Sequence, residues 1–413
     1  MKILFGGLLL IVCVARQPEC QTATAPRSDT TASDTAYVEY HDSPITLPLP
    51  FGFRTPAYDR VDGLTLPWGP RLELGDNKLT VDGVIAYRSH LGDIDPSIDI
   101  RLHPSTTNEI TLFAARGTFS NDEWIRSNLP NTLASFGVGS DARNYYRADR
   151  AEVKINPTAR MGTFAVTPML GARFENDWAT GTPPRSCFPS ACTVTPVSIP
   201  WSVFGRTDSL KMRRPNPAAA KGHISSALAG VGFAVDQAAI QLKIGATVEH
   251  AFEAPAACCI GVSGSSPTSF TQTTLSADVS FPTFGEQRFT ARGHAMLGSA
   301  GLLPPQRYGY LGGAGTLATV NLLQIGGGRL LFAQGDYYAP IRTINLPYLG
   351  SPYVDLQYAA GNAGVGYLPL LIQNVGIGVG ISYLRAGYTV DPARNRSPYS
   401  RKSDFSIGIS LTK

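Results

Sequence analysis

The stretch Ile240-Gln241-Leu242-Lys243-Ile244-Gly245-Ala246-Thr247-Val248-Glu249 alternates between apolar and polar residues, as a β-strand with two different faces does. Successive side chains of a β-strand point to opposite faces of the sheet, so such a segment has one apolar face and one polar face. The same alternation recurs about a dozen times between residues 64 and 413. Repeated strands of about ten residues with this pattern are typical of a membrane β-barrel.

The strand pattern predicts an all-β fold, a transmembrane antiparallel β-barrel of about 14 strands within a range of 12 to 16. One of these predicted strands runs over residues 374–388. Short joins at residues 75–78 and 236–237 read as tight turns at one end of the barrel. Long joins read as extracellular loops at the other end, and they cover residues 120–144, 176–222, 251–269, 299–327 and 389–403.

Composition agrees with a barrel and argues against nucleic-acid binding. Charged residues make up 16% of the chain, below the roughly 25% of an average soluble domain. The 42 glycines and 31 prolines suit many strands joined by turns. A net charge of +4 without a basic block gives no support for a nucleic-acid partner. A soluble β-sandwich would also alternate, but the number and length of the strands favour the barrel.

The N-terminus predicts export from the cytoplasm. Lys2 is followed by the apolar run of residues 3–15, which resembles a secretory signal and is too short to span a membrane as a helix. We therefore expect a signal peptide over residues 1–15, a flexible periplasmic lead-in over 16–57 and the barrel over 58–413. The predicted location is the bacterial outer membrane.

No residue pattern indicates catalysis, a metal or a cofactor. The six histidines lack partners at metal-ligand spacing, and no serine lies in a Gly-x-Ser-x-Gly elbow. Glycine-rich stretches lack the Lys-Ser/Thr ending of a phosphate loop. Cys187 and Cys192 lie in a Pro/Thr/Ser-rich stretch, where a disulfide closing a small loop is possible in an exported protein.

A charged patch surrounds two adjacent tyrosines. Residues 141–144 (Asp-Ala-Arg-Asn) and 147–150 (Arg-Ala-Asp-Arg) flank Tyr145 and Tyr146. Aromatic residues are common at the edges of the membrane-spanning band of a barrel. We interpret the patch as a solvated strand end with aromatic belt residues.

One segment resembles a known family. The stretch LPPQRYGYLGGAGTL at residues 303–317, followed by GRLLFAQGDYYAP at 328–340, is similar to the bacterial surface antigen superfamily of outer-membrane barrels. That superfamily includes the assembly barrels of the BamA and TamA type and the two-partner secretion transporters. The resemblance implies that the long loop folds back into the lumen on a structural motif formed by Leu311, Gly312, Gly313, Gly315, Thr316 and Leu317.

The chain also departs from this family. In the family the loop continues with Arg-Gly-aromatic, whose arginine reaches an acidic group in the lumen, whereas here Ala318, Thr319 and Val320 occupy those places. The sequence therefore predicts that the anchoring ion pair is missing. Residues 16–57 are too few for a periplasmic repeat domain, and the final strand does not end on an aromatic residue.

The resemblance implies a non-enzymatic barrel that acts in membrane protein assembly, transport or surface structure. Its expected surroundings are outer-membrane lipid and periplasmic or outer-membrane assembly proteins. A passive solute channel of the porin kind is the alternative, and an outer-membrane lipid hydrolase is a weaker one. An open lumen would favour the solute channel. A loop that plugs the lumen would favour the role in assembly, transport or surface structure.

Overall fold

One antiparallel sheet holds nearly all the strand residues of the computed structural model. The structure describes residues 45–46, 50–76, 78–180, 216–237, 240–255, 268–299, 303–344, 350–382, 384–393 and 397–409. Within these residues no helix is long and apolar enough to cross a membrane. The predicted signal peptide and most of the predicted lead-in lie outside the described residues.

The elements follow the alternation in the sequence, because each strand puts its apolar residues on one face. The single α-helix of the described residues is α1 (Asn128–Val138), and short 3₁₀ turns lie at Pro50–Gly52 and Pro305–Arg307. The strands are β1 (Ile45–Thr46), β2 (Ala57–Asp59), β3 (Gly63–Trp68), β4 (Arg71–Leu74), β5 (Leu79–Arg88), β6 (Asp93–Ser105), β7 (Asn108–Phe119), β8 (Tyr146–Pro157), β9 (Ala159–Met161), β10 (Phe164–Trp178), β11 (Gly222–Asp236), β12 (Gln241–Ala254), β13 (Thr268–Pro282), β14 (Arg288–Gly298), β15 (Gly309–Leu311), β16 (Ile325–Gly327), β17 (Arg329–Pro340), β18 (Tyr353–Gly364), β19 (Ile372–Ile381), β20 (Leu384–Val390) and β21 (Ser403–Ile409).

Each strand of the main sheet pairs with its neighbours in the chain, as in a meander, and β15 and β16 form a separate ribbon. Three strands are interrupted. β3 and β4 both pair with β5, β8 and β9 both pair with β10, and β1 and β2 lie along β4 and β3. The 19 segments of the sheet therefore correspond to 16 strand runs in the described residues, at the upper limit of the predicted range.

Two details correct the predicted strand list. Residues 374–388 form a hairpin of β19 and β20 rather than one strand, and the turn between them places Ser382 at φ 52°. No glycine or proline marks this turn, so the alternation runs through it in the sequence. The sheet also begins at β1, before residue 58, because Ile45 and Thr46 pair with Leu72 and Arg71. This first run alternates poorly and is broken by prolines, which hid it.

The paired residues of adjacent strands share a face, and the two faces differ sharply in polarity. Lys243 pairs with Asp278, and Asp278 pairs with Arg292, so these charges lie in one row on one face. Ile244, 46% exposed, lies on the opposite face. The same register places seven charged strand residues on one face, namely Arg173, Glu175, Lys243, Glu249, Asp278, Arg288 and Arg292. We call this polar face the inner face and the apolar face the outer face.

Long and short connections separate to opposite ends of the strands. The connections after β7, β10, β12, β14, β18 and β20 lie at one end, which we call the long-loop end. Tight turns such as residues 75–78 lie at the other end, with the connection between β17 and β18 as the longest there. Long loops at one end and short turns at the other are typical of outer-membrane barrels, whose long loops are extracellular.

Candidate functional site: a loop held inside the barrel

The connection between β14 and β17 folds over the inner face of the sheet. We call its residues 303–328 the inner loop. Its contacts begin at β8 and β10, continue over β12, β13 and β14, and end at β19 and the connection after β20. A single loop reaches strands so far apart in the sheet only where the sheet curves around it. The inner loop therefore lies within the barrel, near the long-loop end.

Arg307 fastens the first part of the inner loop. Its side chain is only 2% exposed and forms ion pairs with Glu175 of β10 and Glu249 of β12. Arg307 Nη2 lies 3.1 Å from Glu249 Oε1, and Nη1 donates a hydrogen bond of 3.2 Å to the Tyr146 hydroxyl of β8. Burial opposes the positive charge, but the two carboxylates outweigh it and raise the pKa of Arg307 well above its usual value. Arg307 is therefore a permanently charged link between three strands.

The neighbouring Gln306 makes this attachment more specific. Its amide nitrogen donates to Asp177 Oδ2 and to the carbonyl oxygen of Ala220, both at 3.0 Å. Its amide oxygen accepts a hydrogen bond of 3.0 Å from the Ala220 backbone N–H. Gln272 of β13 donates to the backbone oxygen of Arg307 at 2.8 Å. Buried polar groups need such partners, so this part of the loop fits only one arrangement of the strands.

The predicted loss of the anchoring ion pair is wrong. The arginine that reaches lumen carboxylates is Arg307, before the glycine-rich motif, and not a residue at positions 318–320 after it. The sequence does hold a signal for it, since Arg307 is the one charged residue between residues 299 and 327. A lone charge in an uncharged segment needs a partner when the segment is buried.

The glycine-rich motif forms a tight turn behind this anchor. Leu311 and Leu317 are fully buried and Thr316 is 4% exposed. Thr316 Oγ1 accepts a hydrogen bond of 2.9 Å from the Gly312 N–H, and the Gly313 N–H donates to the Leu317 carbonyl at 3.0 Å. Gly312 has φ 126° and Gly313 has φ 82°, values that disfavour residues with a Cβ atom. The glycines thus permit the turn, and the two leucines join a cluster with Leu330 and Phe332 of β17.

Residues 318–320 make a second anchor to β19 and the connection after β20, which lie far from β8, β10 and β12 along the sheet. The Thr319 N–H donates to Asn374 Oδ1 of β19 at 3.1 Å, and Asn374 Nδ2 donates back to Thr319 Oγ1 at 2.8 Å. The Arg401 N–H donates to the Thr319 carbonyl at 2.8 Å, and Val320 forms an isolated β-bridge with Ser400. The inner loop is therefore held from two opposite directions.

A second loop, residues 120–145 between β7 and β8, also reaches over the inner face. The Trp124 ring stacks on His294 of β14, with ring centroids 4.1 Å apart and planes within 13°. It also contacts Phe332 of β17 at a centroid distance of 5.5 Å. Both loops therefore lie over the inner face at the long-loop end.

Residues 141–148 of the charged patch are buried and Asp149 and Arg150 are half-buried, which corrects the prediction of a solvated strand end. Asp141 is 2% exposed and accepts hydrogen bonds from the Arg60 backbone N–H at 3.0 Å and from the Tyr145 hydroxyl at 3.0 Å. Arg60 also donates from Nη2 to Asn216 Oδ1 at 2.9 Å. Sequence alone gave no sign that distant residues 60 and 216 would supply partners for this patch.

Helix α1 lies against the first strand run. The Tyr58 N–H of β2 donates to Thr132 Oγ1 of α1 at 3.2 Å, and the Tyr58 and Phe136 rings pack edge-to-face with centroids 5.2 Å apart. Leu64 of β3 lies opposite Tyr58, but its carbonyl accepts a hydrogen bond of 2.9 Å from the Ser89 N–H on its other side, so the Tyr58 N–H points away from β3. The side chains of Thr132 and Asp141 therefore accept hydrogen bonds from the backbone N–H groups of Tyr58 and Arg60, along the free edge of the first strand run.

Cys187 and Cys192 lie outside the described residues. Within the described residues, no group of three or more His, Cys, Asp or Glu side chains could hold a metal ion.

Among solved structures, the chain shares its fold with BamA, and CdiB structures match it with lower scores. BamA from Haemophilus ducreyi lacking POTRA domains 1–3 matches with a TM-score of 0.50 and 10% identity, over 86% of this chain and 69% of that chain. CdiB from Escherichia coli (TM-score 0.43, 10% identity) covers 85% of this chain, and CdiB from Acinetobacter baumannii (TM-score 0.46, 11% identity) covers 86%. The match spans 59% and 58% of those two CdiB chains.

No family model and no curated protein matches the sequence. The fold is nevertheless clear from the meander of 16 runs, the apolar outer face, the inner loop and the similarity to BamA. An apolar outer face suits a lipid phase, because the strands of the sheet satisfy one another's backbone groups. The chain is thus a transmembrane β-barrel of the BamA-type outer-membrane fold.

Proposed function

We propose that the chain is a non-enzymatic outer-membrane barrel that handles other polypeptides, in membrane protein assembly or in transport. The observation that carries this proposal is the buried Arg307, which bridges Glu175 and Glu249 and holds the inner loop inside the barrel. A barrel that conducts solutes freely needs a continuous water-filled path, and a loop fastened at both sides obstructs that path.

The two ends of the sheet support a role with polypeptides. In the described residues β21 pairs with β20, and no pairing connects it to β1 or β2. Edge strands present backbone groups to which another extended chain can add. The outer-membrane location would bring this edge into contact with lipid and with newly exported barrel proteins.

A photocrosslinking experiment in the native membrane tests the proposal. A photoreactive amino acid would replace Ile407 of the edge strand β21, whose side chain is 75% exposed on the outer face. The matched control is Ile377 of β19, which is 50% exposed on the same face but lies between two paired strands. We expect polypeptide adducts at Ile407 and lipid adducts alone at Ile377.

Conductance in planar bilayers separates the proposal from the passive channel. Because the inner loop obstructs the interior, we expect the wild-type barrel to conduct no ions for most of the recording time. Steady open pores, together with no polypeptide adduct at Ile407, would contradict polypeptide handling and favour the solute channel.

A further inference from the structure

The outer face carries a sharp boundary between apolar and polar rows near the long-loop end. One row of register partners consists of Ala114, Ala151, Phe174 and Ser225 on β7, β8, β10 and β11. The next row toward the long-loop end is polar throughout and consists of Arg116, Asp149, Asn176 and His223. Side chains two residues apart on a strand share a face, so both rows point outward. This boundary marks the edge of the lipid-facing band.

A depression of about 790 Å³ straddles this boundary. Its floor is low because Ala114, Ala151 and Ser225 have small side chains. Its sides rise at Ile98 and Phe174, which are 39% and 58% exposed, and at Glu253 of β12. A barrel surface is convex, so a hollow of this size on its outer face gives a ligand much more contact than the neighbouring surface does.

The polarity of the hollow selects an amphiphile. An apolar chain fits against Ala114, Ala151 and Phe174, while a polar head reaches the row of Arg116 and Asp149. The hollow lies at the boundary of the apolar band nearest the long-loop end. The head would therefore lie at the extracellular edge of the band, where the head groups of outer-leaflet lipids lie. We propose that this hollow binds an outer-leaflet glycolipid through its sugar head.

The side chains of the polar row favour a sugar over a charged head group. Arg116 Nε and Nη2 donate to Asp149 Oδ1 and Oδ2 at 2.6 and 2.9 Å, so their charges offset each other, and Glu253 adds a negative charge. An anionic head group gains little from this balance of charges. Sugar hydroxyl groups both donate and accept hydrogen bonds, which matches a row of guanidinium, carboxylate, amide and imidazole groups. The Trp178 ring borders this polar row, with the guanidinium groups of Arg116 and Arg147 lying 6.0 and 5.7 Å from its centroid.

Native mass spectrometry of the full-length barrel in detergent tests the proposal. The probes are a phosphorylated acylated glucosamine disaccharide, its dephosphorylated form, phosphatidylethanolamine and phosphatidylglycerol. We expect both glycolipids to bind with affinities within about threefold of each other and at least about tenfold more tightly than either phospholipid. Equal binding of phosphatidylethanolamine, or binding that needs the phosphates, would overturn the assignment of a sugar site.

Two variants disturb the hollow in different ways. Arg116→Leu combined with Asp149→Leu removes the polar pair, and Ala114→Trp fills the floor while it leaves the pair in place. Each should weaken glycolipid binding by about tenfold or more.

The matched control removes another exposed ion pair, by Arg342→Leu combined with Glu286→Leu. Arg342 Nη2 and Glu286 Oε1 lie 3.1 Å apart at the other end of the barrel. All variants are first checked for a closed fold by heat-modifiability. Unchanged glycolipid binding in both variants of the hollow would refute the site.

Discussion

The role of Arg307 gives the most direct prediction. Replacing it by alanine removes the cation that Glu175 and Glu249 share on the inner face. Glu175 keeps its ion pair with Arg150, and Glu249 keeps Arg173, whose Nη1 lies 3.6 Å from Glu249 Oε2. The strands keep their backbone pairing, because the Arg307 side chain belongs to the loop. We therefore expect the loss to appear as release of the inner loop and not as unfolding of the barrel.

The magnitude follows from the burial of the pair. Breaking a buried ion pair by removing one partner typically costs about 3–5 kcal/mol when the remaining charge stays uncompensated. Arg150 and Arg173 still compensate the two carboxylates in part, so we expect the lower end of that range. A cost of about 3 kcal/mol changes the ratio of attached to released loop by roughly two orders of magnitude. The second anchor at Thr319 and Asn374 remains, so the released part should be residues 303–311 first.

Single-channel recording and limited proteolysis measure this release. Arg307→Ala should raise the conductance of the barrel in planar bilayers and expose the inner loop to protease, while heat-modifiability stays as in the wild type. Arg307→Lys should give an intermediate result, because an ammonium group cannot form the same forked contacts with two carboxylates.

The control is Arg342→Ala, which breaks an exposed ion pair at the other end and should change nothing measurable. If Arg307→Ala has the conductance and protease resistance of the wild type, the ion pair does not hold the loop. Apolar packing of Leu311 and Leu317 would then be sufficient, and the reasoning from buried charge would be refuted.

Three further predictions test other parts of the structure. Ile244→Arg, on the outer face, should lower the free energy of unfolding in lipid vesicles by about 2–4 kcal/mol, whereas Lys243→Ala on the inner face should have a small effect; equal losses would contradict the assigned faces. Gly312→Ala should lower the free energy of loop attachment by about 1–3 kcal/mol, because a φ of 126° is strained for alanine and the added Cβ would meet the Asn321 carbonyl. Limited proteolysis of the inner loop measures this effect, and Gly408→Ala, where nothing lies near an added Cβ, is the control. Thr132→Val removes the acceptor for the Tyr58 N–H, so hydrogen exchange of that amide should speed up while exchange in β12 stays unchanged; unchanged exchange at Tyr58 would show that α1 does not protect the strand edge.

The alternation in the sequence was sufficient for the sheet and its two faces. Lys243 and Ile244 lie on opposite faces because neighbouring side chains of a strand must do so, and no long-range information is needed. The connection at residues 374–388 was missed because Ser382 makes its turn without glycine or proline. The first run was missed because its short segments pair with β3 and β4 although they barely alternate.

The site depended on contacts that the sequence pattern does not contain. Arg307 meets Glu175 and Glu249 only after β10 and β12 have been placed side by side around the loop. The partners of Asp141 include Arg60, which is far away in the chain. A lone arginine in the uncharged loop was visible in the sequence, but the identity of its partners was not.

The two anchors of the inner loop also set an order of assembly. The loop binds groups from Asn121 in the first third of the chain to Arg401 near its end, so no short segment of the chain can fix it in place. Contacts between such distant residues form late, because the intervening chain must be ordered first. We expect the interior to stay hydrated until the last hairpin is in position. A slow final phase in refolding, seen as late protection of residues 303–320 from hydrogen exchange, would be its kinetic signature.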